Sequence, residues 1–167
     1  MVILGIDPGL SATGYGFIES LAQRLRVIAA GDIRAPRSRP LAQRLAFIHA
    51  ALGDLMTRYH PDAVVLEKIF THHQHVTTAA MMGHARGVAC LAAQEHGLSV
   101  EEHLPTHVKK SLTGHGAASK EQVARMVGQW LRCADPGWSV DATDALALAI
   151  VHAHGQRHQR NLAGALR

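Results

Sequence analysis

Apolar positions in this chain fall first into three short, nearly continuous runs and then into an alternation of helix-period stripes with further short runs. The opening runs cover about 2–7, 13–20 and 25–33, with turn residues between them, and predict three adjacent strands in a meander. Leu41, Leu45, Ile48, Leu52, Leu55 and Tyr59 then repeat at helical spacing between Pro40 and Pro61, the punctuation expected at helix ends. A fourth strand is predicted at 62–67, a helix at 76–96, a fifth strand at 98–103 and a short helix at 106–112. Ser119 and Gln122 form a capping-box pair for a helix reaching about 132. The last helix starts near Asp141; beyond His154 the chain turns polar and is expected to fray over about 156–167. A meander followed by such alternation predicts an α/β fold with a five-stranded mixed sheet flanked by helices.

Composition narrows the picture without naming a chemistry. At 167 residues one core is affordable, and 1–167 reads as a single domain. Hydrophobic residues make up 47% and charged ones 18%, which argues against disorder. Aromatics reach only 4%, so the core must be aliphatic. The two cysteines are too few for a disulfide framework and lack zinc spacing. No charged leader precedes the first apolar run and no stretch is long enough for a membrane span, so the expected setting is cytoplasmic. The net charge of +4 and the 13 histidines suit a polyanionic partner such as nucleic acid.

Candidate chemistry comes from four acids. Asp7 and Glu67 end predicted buried strands, and Asp141 and Asp144 open the last helix at i, i+3 spacing, which places them on one face. Taken singly, each reads more simply as a turn-capping acid or as a carboxylate suited to a helix N-terminus. If the three segments converge, their charges repel unless cations bind or pKa values rise. Hard oxygen donors of this kind favour Mg²⁺ or Mn²⁺ over zinc.

The pieces together resemble the RuvC family of Holliday-junction resolvases. The resemblance rests on Gly-Ile-Asp-Pro-Gly at 5–9 with Thr-Gly-Tyr-Gly at 13–16, on Glu67 followed by Ile69-Phe70, and on Gly83 to Ala89. It continues through Val108-Lys109-Lys110, Gly114-His115-Gly116, Ser119 to Val123 and Asp141 to Ala147. It spans nearly the whole chain, and the order and spacing of the segments make it specific. Three segments depart from the family pattern: His84 stands where Gln is usual, His115 where Asn is common, and Thr-His-His-Gln-His at 71–75 replaces Lys and Asn residues.

The resemblance implies a ribonuclease H-like fold and a homodimeric endonuclease that resolves four-way DNA junctions by paired nicks leaving 5′-phosphate and 3′-hydroxyl ends. It also implies work beside a branch-migration helicase in recombination and repair. Two divalent ions, Mg or Mn, would be held by Asp7, Glu67, Asp141 and Asp144, with Asp7 bridging them. Lys120, a cation on the first turn of a helix where the dipole disfavours it, is assigned to the scissile phosphate. Arg86, Lys109 and Lys110 are candidate DNA-backbone contacts, with solvated surface the alternative. Phe70 is expected to stack on unpaired bases at the junction centre, against the alternative of core packing. The helix at 76–96, with Met81, Met82, Val88 and Leu91, could equally be an ordinary core helix from sequence alone; the resemblance makes it the candidate dimer interface.

His72, His73 and His75, and separately His152, His154 and His158, lack acidic or Cys partners and are not read as metal sites. The first group is expected to face DNA, with binding that tightens as pH falls towards 6. Three other classes share parts of the pattern. An ATPase of the actin and sugar-kinase type also begins with a strand, an Asp and a Gly-rich turn, but needs about twice this length. A ribonuclease H-like nuclease acting on RNA would share Asp7 but need not carry Phe70 and Lys120. A junction-binding protein without catalysis would not need the acidic quartet.

Overall fold

The computed structural model describes residues 1–22, 24–68, 76–133 and 137–165, with side chains described outside 76–79 and 160–165. Phe70, His72, His73 and His75 lie outside the described residues. The elements, in chain order, are β1 (Val2–Asp7), β2 (Thr13–Ser20), β3 (Leu25–Ile33), α1 (Leu41–Tyr59), β4 (Ala63–Glu67), α2 (Val76–Glu95), β5 (Val100–His103), α3 (Pro105–Thr113), α4 (Lys120–Leu131) and α5 (Val140–Ala165). They form the expected five-stranded mixed sheet, ordered β3-β2-β1-β4-β5. The first three strands pair antiparallel, and β4 and β5 continue in parallel beyond β1.

Period-2 alternation divides the strands between two cores. Leu4, Ile6, Phe17, Val64 and Leu66 face α1 and α2, where Ile48, Leu52, Met56, Ala85, Ala89 and Ala92 complete one apolar cluster. Ile3, Ile18 and Val65 face the other way, onto Leu146, Ala149 and Ile150 of α5 and the apolar faces of α3 and α4.

On that second face the strand sequences carry glycine where α5 crosses. Gly5 and Gly16 are paired across β1 and β2, and Gly14 pairs with Asp7. A Cβ on Gly5 would stand 1.9 Å from the Ala145 carbonyl oxygen, one on Gly14 2.0 Å from that of Asp141, and one on Gly16 2.7 Å from the Leu146 side chain. The α5 backbone therefore lies directly on the β1–β2 backbone, closer than any side chain allows.

Small departures from expectation occur at element ends. β5 begins at Val100 rather than 98, because Gly97 (φ +69°) and the Leu98 N–H, which donates to the Ala93 carbonyl at 3.0 Å, belong to the exit from α2. The capping box at Ser119 and Gln122 forms in both directions. The largest difference is at the C-terminus, where fraying was expected over about 156–167: α5 continues as helix to Ala165. The Arg157 guanidinium donates to the backbone carbonyls of Leu21 (2.5 Å) and Arg24 (2.9 Å) in the β2–β3 turn, and this tertiary anchor outweighs local polarity.

Candidate active site

Asp7 and Glu67 end neighbouring parallel strands, one step beyond the paired Ile6 and Leu66. Both fall on the face that carries Gly5 and Val65, towards α5. Ser139 sets the start of that helix: its Oγ accepts from the Ala142 N–H at 3.0 Å, and its carbonyl accepts from the Thr143 hydroxyl at 2.8 Å. Ser139 Oγ also donates to Asp32 at the end of β3. The first turns of α5 thus carry Asp141 and Asp144 over the β1–β2 glycines to the sheet end where Asp7 and Glu67 lie.

A cavity of about 250 Å³ opens there, lined by Asp7, Glu67 and Asp144 together with Lys109, Lys120 and the apolar wall of Val108, Val123 and Leu148. Burial, reinforced by the charges of Asp144, Glu67 and Asp141, pushes the Asp7 carboxyl from the usual 3.8 up to about 7. Glu67 is raised by burial and then by Asp144. Asp141 is raised by burial and then by Asp32 and Asp144. A larger cavity of about 560 Å³ lies between α3 and α4, lined by Thr113, His115, Gln122, Arg125 and their neighbours. Among the described residues that line it there is no carboxylate, and the acids gather instead in the smaller cavity.

The positive charges sort differently from expectation. Lys120 Nζ lies 3.0 Å from Asp144 Oδ2, and that hydrogen bond raises the lysine pKa. Its placement on the first turn of α4 is therefore accounted for by a carboxylate partner within the chain, not only by a phosphate. Lys109 lines the cavity and draws Glu67 back towards its usual range, whereas Lys110 is exposed on α3.

Arg86 is held by partners within the chain. Its guanidinium donates to the backbone carbonyl of Glu67 at 2.5 Å and pairs with the Glu102 carboxylate, and its side chain is only 14% exposed. It braces the C-terminal end of β4 against β5. Arg86→Met is expected to destabilise the fold by about 1–3 kcal/mol through the unsatisfied carbonyl and carboxylate, read as a lower denaturant midpoint.

His152 and His154 lie in the interior, where burial lowers both pKa values. The His154 ring packs on Trp130 with centroids 4.4 Å apart. Both rings pack within the chain.

Among the described residues no three His, Cys, Asp or Glu side chains form a ready-made ligand sphere. The Lys120 ammonium offsets part of the charge of the four acids, and crowding makes Asp7 hold a proton more readily than an ordinary carboxyl. The donor set fits hard divalent ions: oxygens only, mutually repelling, beside a cavity. Each expected acid is thus brought to one end of the sheet. Asp32, missed in the sequence, sits behind Asp141 and adds to the local negative charge.

A mixed sheet whose first and fourth strands end in acids, with a terminal helix bringing two more, defines a nuclease of the ribonuclease H-like class. The family model described as "Crossover junction endodeoxyribonuclease RuvC" matches residues 3–152. The chain belongs to this family of crossover junction endodeoxyribonucleases. It is 43% identical over 152 residues to the Azorhizobium caulinodans protein of that name, covering 91% of this chain and 89% of the relative. It is 42% identical over 154 residues to that of Alkaliphilus oremlandii, covering 92% and 93%. The structure of Thermus thermophilus RuvC superposes with a TM-score of 0.87 at 33% identity, over 95% of this chain and 97% of that one. The same protein solved in complex with Holliday junction substrate also gives 0.87, at 34% identity, over 95% and 96%.

Proposed function

We propose that this chain is a metal-dependent endonuclease that resolves four-way DNA junctions by paired, symmetric nicks leaving 5′-phosphate and 3′-hydroxyl ends, in recombination and repair. The observation that carries the reading is Asp7: a half-buried carboxyl, crowded by three other acids, in a cavity that also holds two lysines. Residues 1–167 act in this reading as one nuclease domain, with helices covering both faces of a single sheet.

Asp7, Glu67, Asp141 and Asp144 would hold two divalent ions, Mg²⁺ or Mn²⁺, which when bound activate water and stabilise the leaving oxygen. The chain's own residues do the rest. Val108, Val123 and Leu148 wall one side of the cavity and limit solvent. Lys120 exchanges its contact with Asp144 for the scissile phosphate, and Lys109 adds positive charge on the same side. Lys110 contacts the backbone further out, and Phe70 stacks on unpaired bases. Lys120→Met is expected to lower single-turnover cleavage by about a hundredfold or more, while leaving a folded protein, since the side chain is 68% exposed.

A four-way junction has two-fold symmetry and calls for a two-fold dimer. On α2, Met81 and Leu91 are exposed, at 41% and 52%, with His84 and Gly87 between them, whereas Val88 packs partly against the core. That outward stripe supports α2 as the interface, without Val88 as a principal contact. The family resemblance supports a branch-migration helicase as partner. The free Cys90 and Cys133 support a reducing, cytoplasmic setting. Among the described residues no helix is long and apolar enough to cross a membrane.

Cleavage of a labelled four-way junction, beside duplex and RNA–DNA hybrid, with Mg²⁺, Mn²⁺ or chelator, tests the reading. Paired metal-dependent nicks confined to the junction are expected. Preferential cutting of the hybrid would move the chain to a nuclease acting on RNA, and tight junction binding with no cut would leave a binder.

A further inference from the structure

A second polar concavity lies across the N-terminal turn of α5 from the catalytic cavity, and its arginines carry none of the roles assigned so far. It encloses about 500 Å³ and is lined by Arg34, Arg37 and Arg44, the turn at 9–12, Met81, Met82 and Asp141. Asp141 borders this groove while Asp144, one helical turn on, borders the catalytic cavity. The two spaces therefore flank the same pair of acids.

The groove is rigidly built. Thr13, fully buried, donates its hydroxyl to the Gly9 carbonyl at 2.7 Å, and the Arg44 guanidinium donates to the Leu10 carbonyl at 2.7 Å. These bonds fix the turn that follows Asp7. Arg34 is tied to Asp32 at 2.6 Å, yet its side chain stays 67% exposed. Asp32 in turn accepts from Ser139, which caps α5. Arg37 is exposed and, among the described residues, pairs with no carboxylate; Arg44 is likewise unpaired, and its Nε is buried without a partner. Three guanidiniums thus face one space in which Asp141 is the lining carboxylate and Asp32 is already engaged. Guanidiniums so gathered, with unfilled donors, match phosphate oxygens.

We propose that this arginine groove holds the DNA backbone next to the scissile phosphate, on the side of the acids opposite Lys120, with Arg37 and Arg34 on phosphate oxygens and Met82 against the sugar or base. The inference rests on the proposed nuclease function and deepens it: the cut strand is gripped on both sides of the acids. A strand held at two points keeps its scissile phosphate in register with the carboxylates. Contacts on the Lys120 side alone leave it free to pivot.

The test is junction binding by fluorescence anisotropy across a salt series, in an Asp7→Asn background with Mg²⁺ present, comparing the parent with Arg37→Ala and with Arg58→Ala. Arg58 is an exposed arginine on the last turn of α1, about 20 Å along the helix from Arg44. Arg37→Ala is expected to flatten the slope of log affinity against log salt by about one unit, and Arg58→Ala to leave it as in the parent. A junction with a neutral methylphosphonate one or two nucleotides from the cleavage position should abolish the difference between the parent and Arg37→Ala. Equal slopes for Arg37→Ala and the parent, or a difference that survives every neutral substitution beside the cut, would overturn the proposal. If the wild-type chain fails to nick a junction at all, the proposed function falls; if it nicks while the slopes stay equal, only the arginine groove does.

Discussion

Asp7→Asn is expected to abolish strand cleavage, by about a thousandfold or more, and in the absence of divalent ions to make the protein more stable. Both effects have one origin. The Asp7 carboxyl is held at about 7 because burial and three neighbouring acids oppose its ionised form. Between pH 4 and 7 the folded chain keeps a proton that the unfolded chain has released, so folding stability falls as pH rises through that window. It is fully present below the usual carboxylate range and gone above pH 7. A gap of about three units, each worth about 1.4 kcal/mol, sets the penalty at about 4 kcal/mol by pH 8.

Asparagine has the shape of the protonated acid and no charge to bury, so it removes that penalty together with the nuclease activity. Denaturant melts of parent and variant at pH 4.5 and pH 8, with chelator, check this: the curves should nearly coincide at the lower pH and separate at the higher one, the variant being the more stable. Mg²⁺ should narrow the gap by stabilising the parent. A variant that is less stable at pH 8 would mean that Asp7 is not the repelled member of the cluster. Retained cleavage would remove it from the chemistry.

Gly5→Ala is expected to cost about 3 kcal/mol or more, although it adds one methyl group to a buried strand. The new carbon would meet the Ala145 carbonyl oxygen at 1.9 Å, with Ala149 N–H close behind. Both are backbone atoms of α5 and cannot rotate away. The helix must lift, and the acids at its N-terminal end lift with it, so cleavage should fall even at temperatures where the variant remains folded. Gly14→Ala is the sharper case for activity, because its clash is with Asp141 itself. A control sits on the same helix: a Cβ at Gly155 meets nothing within 4 Å, and Gly155→Ala should stabilise by up to about 1 kcal/mol. Equal melting of Gly5→Ala and the parent would show that the α5 contact yields more readily than a backbone-on-backbone approach allows.

Much of this architecture was legible because its signals are local. Continuous apolar runs, the proline brackets around α1 and the Ser119–Gln122 box each act within a few residues, and the acids stand at the ends of the elements so marked. What escaped was pairing between distant segments. Gly5, Gly14 and Gly16 read as strand and turn glycines, and their role as the bed of α5 depends on a helix more than 120 residues further on. Arg86 carries no local sign that Glu67 and Glu102 occupy its guanidinium. That Lys120 rests on Asp144 within the chain could not be read from the sequence. The arginines at 34, 37 and 44 carry no motif, since a loop and a helix contribute them separately.

The anchoring of Arg157 on the β2–β3 turn has a practical side. The turn around Leu21 and Arg24 is a surface hairpin end, the kind of place usually chosen for an affinity tag, a fluorophore or a fused module. Here its carbonyls hold the far part of the helix whose other end carries Asp141 and Asp144, about 24 Å away at 1.5 Å per residue. A label inserted there loosens the rod on which half the acidic cluster is mounted, so a reporter for junction cutting is better attached elsewhere.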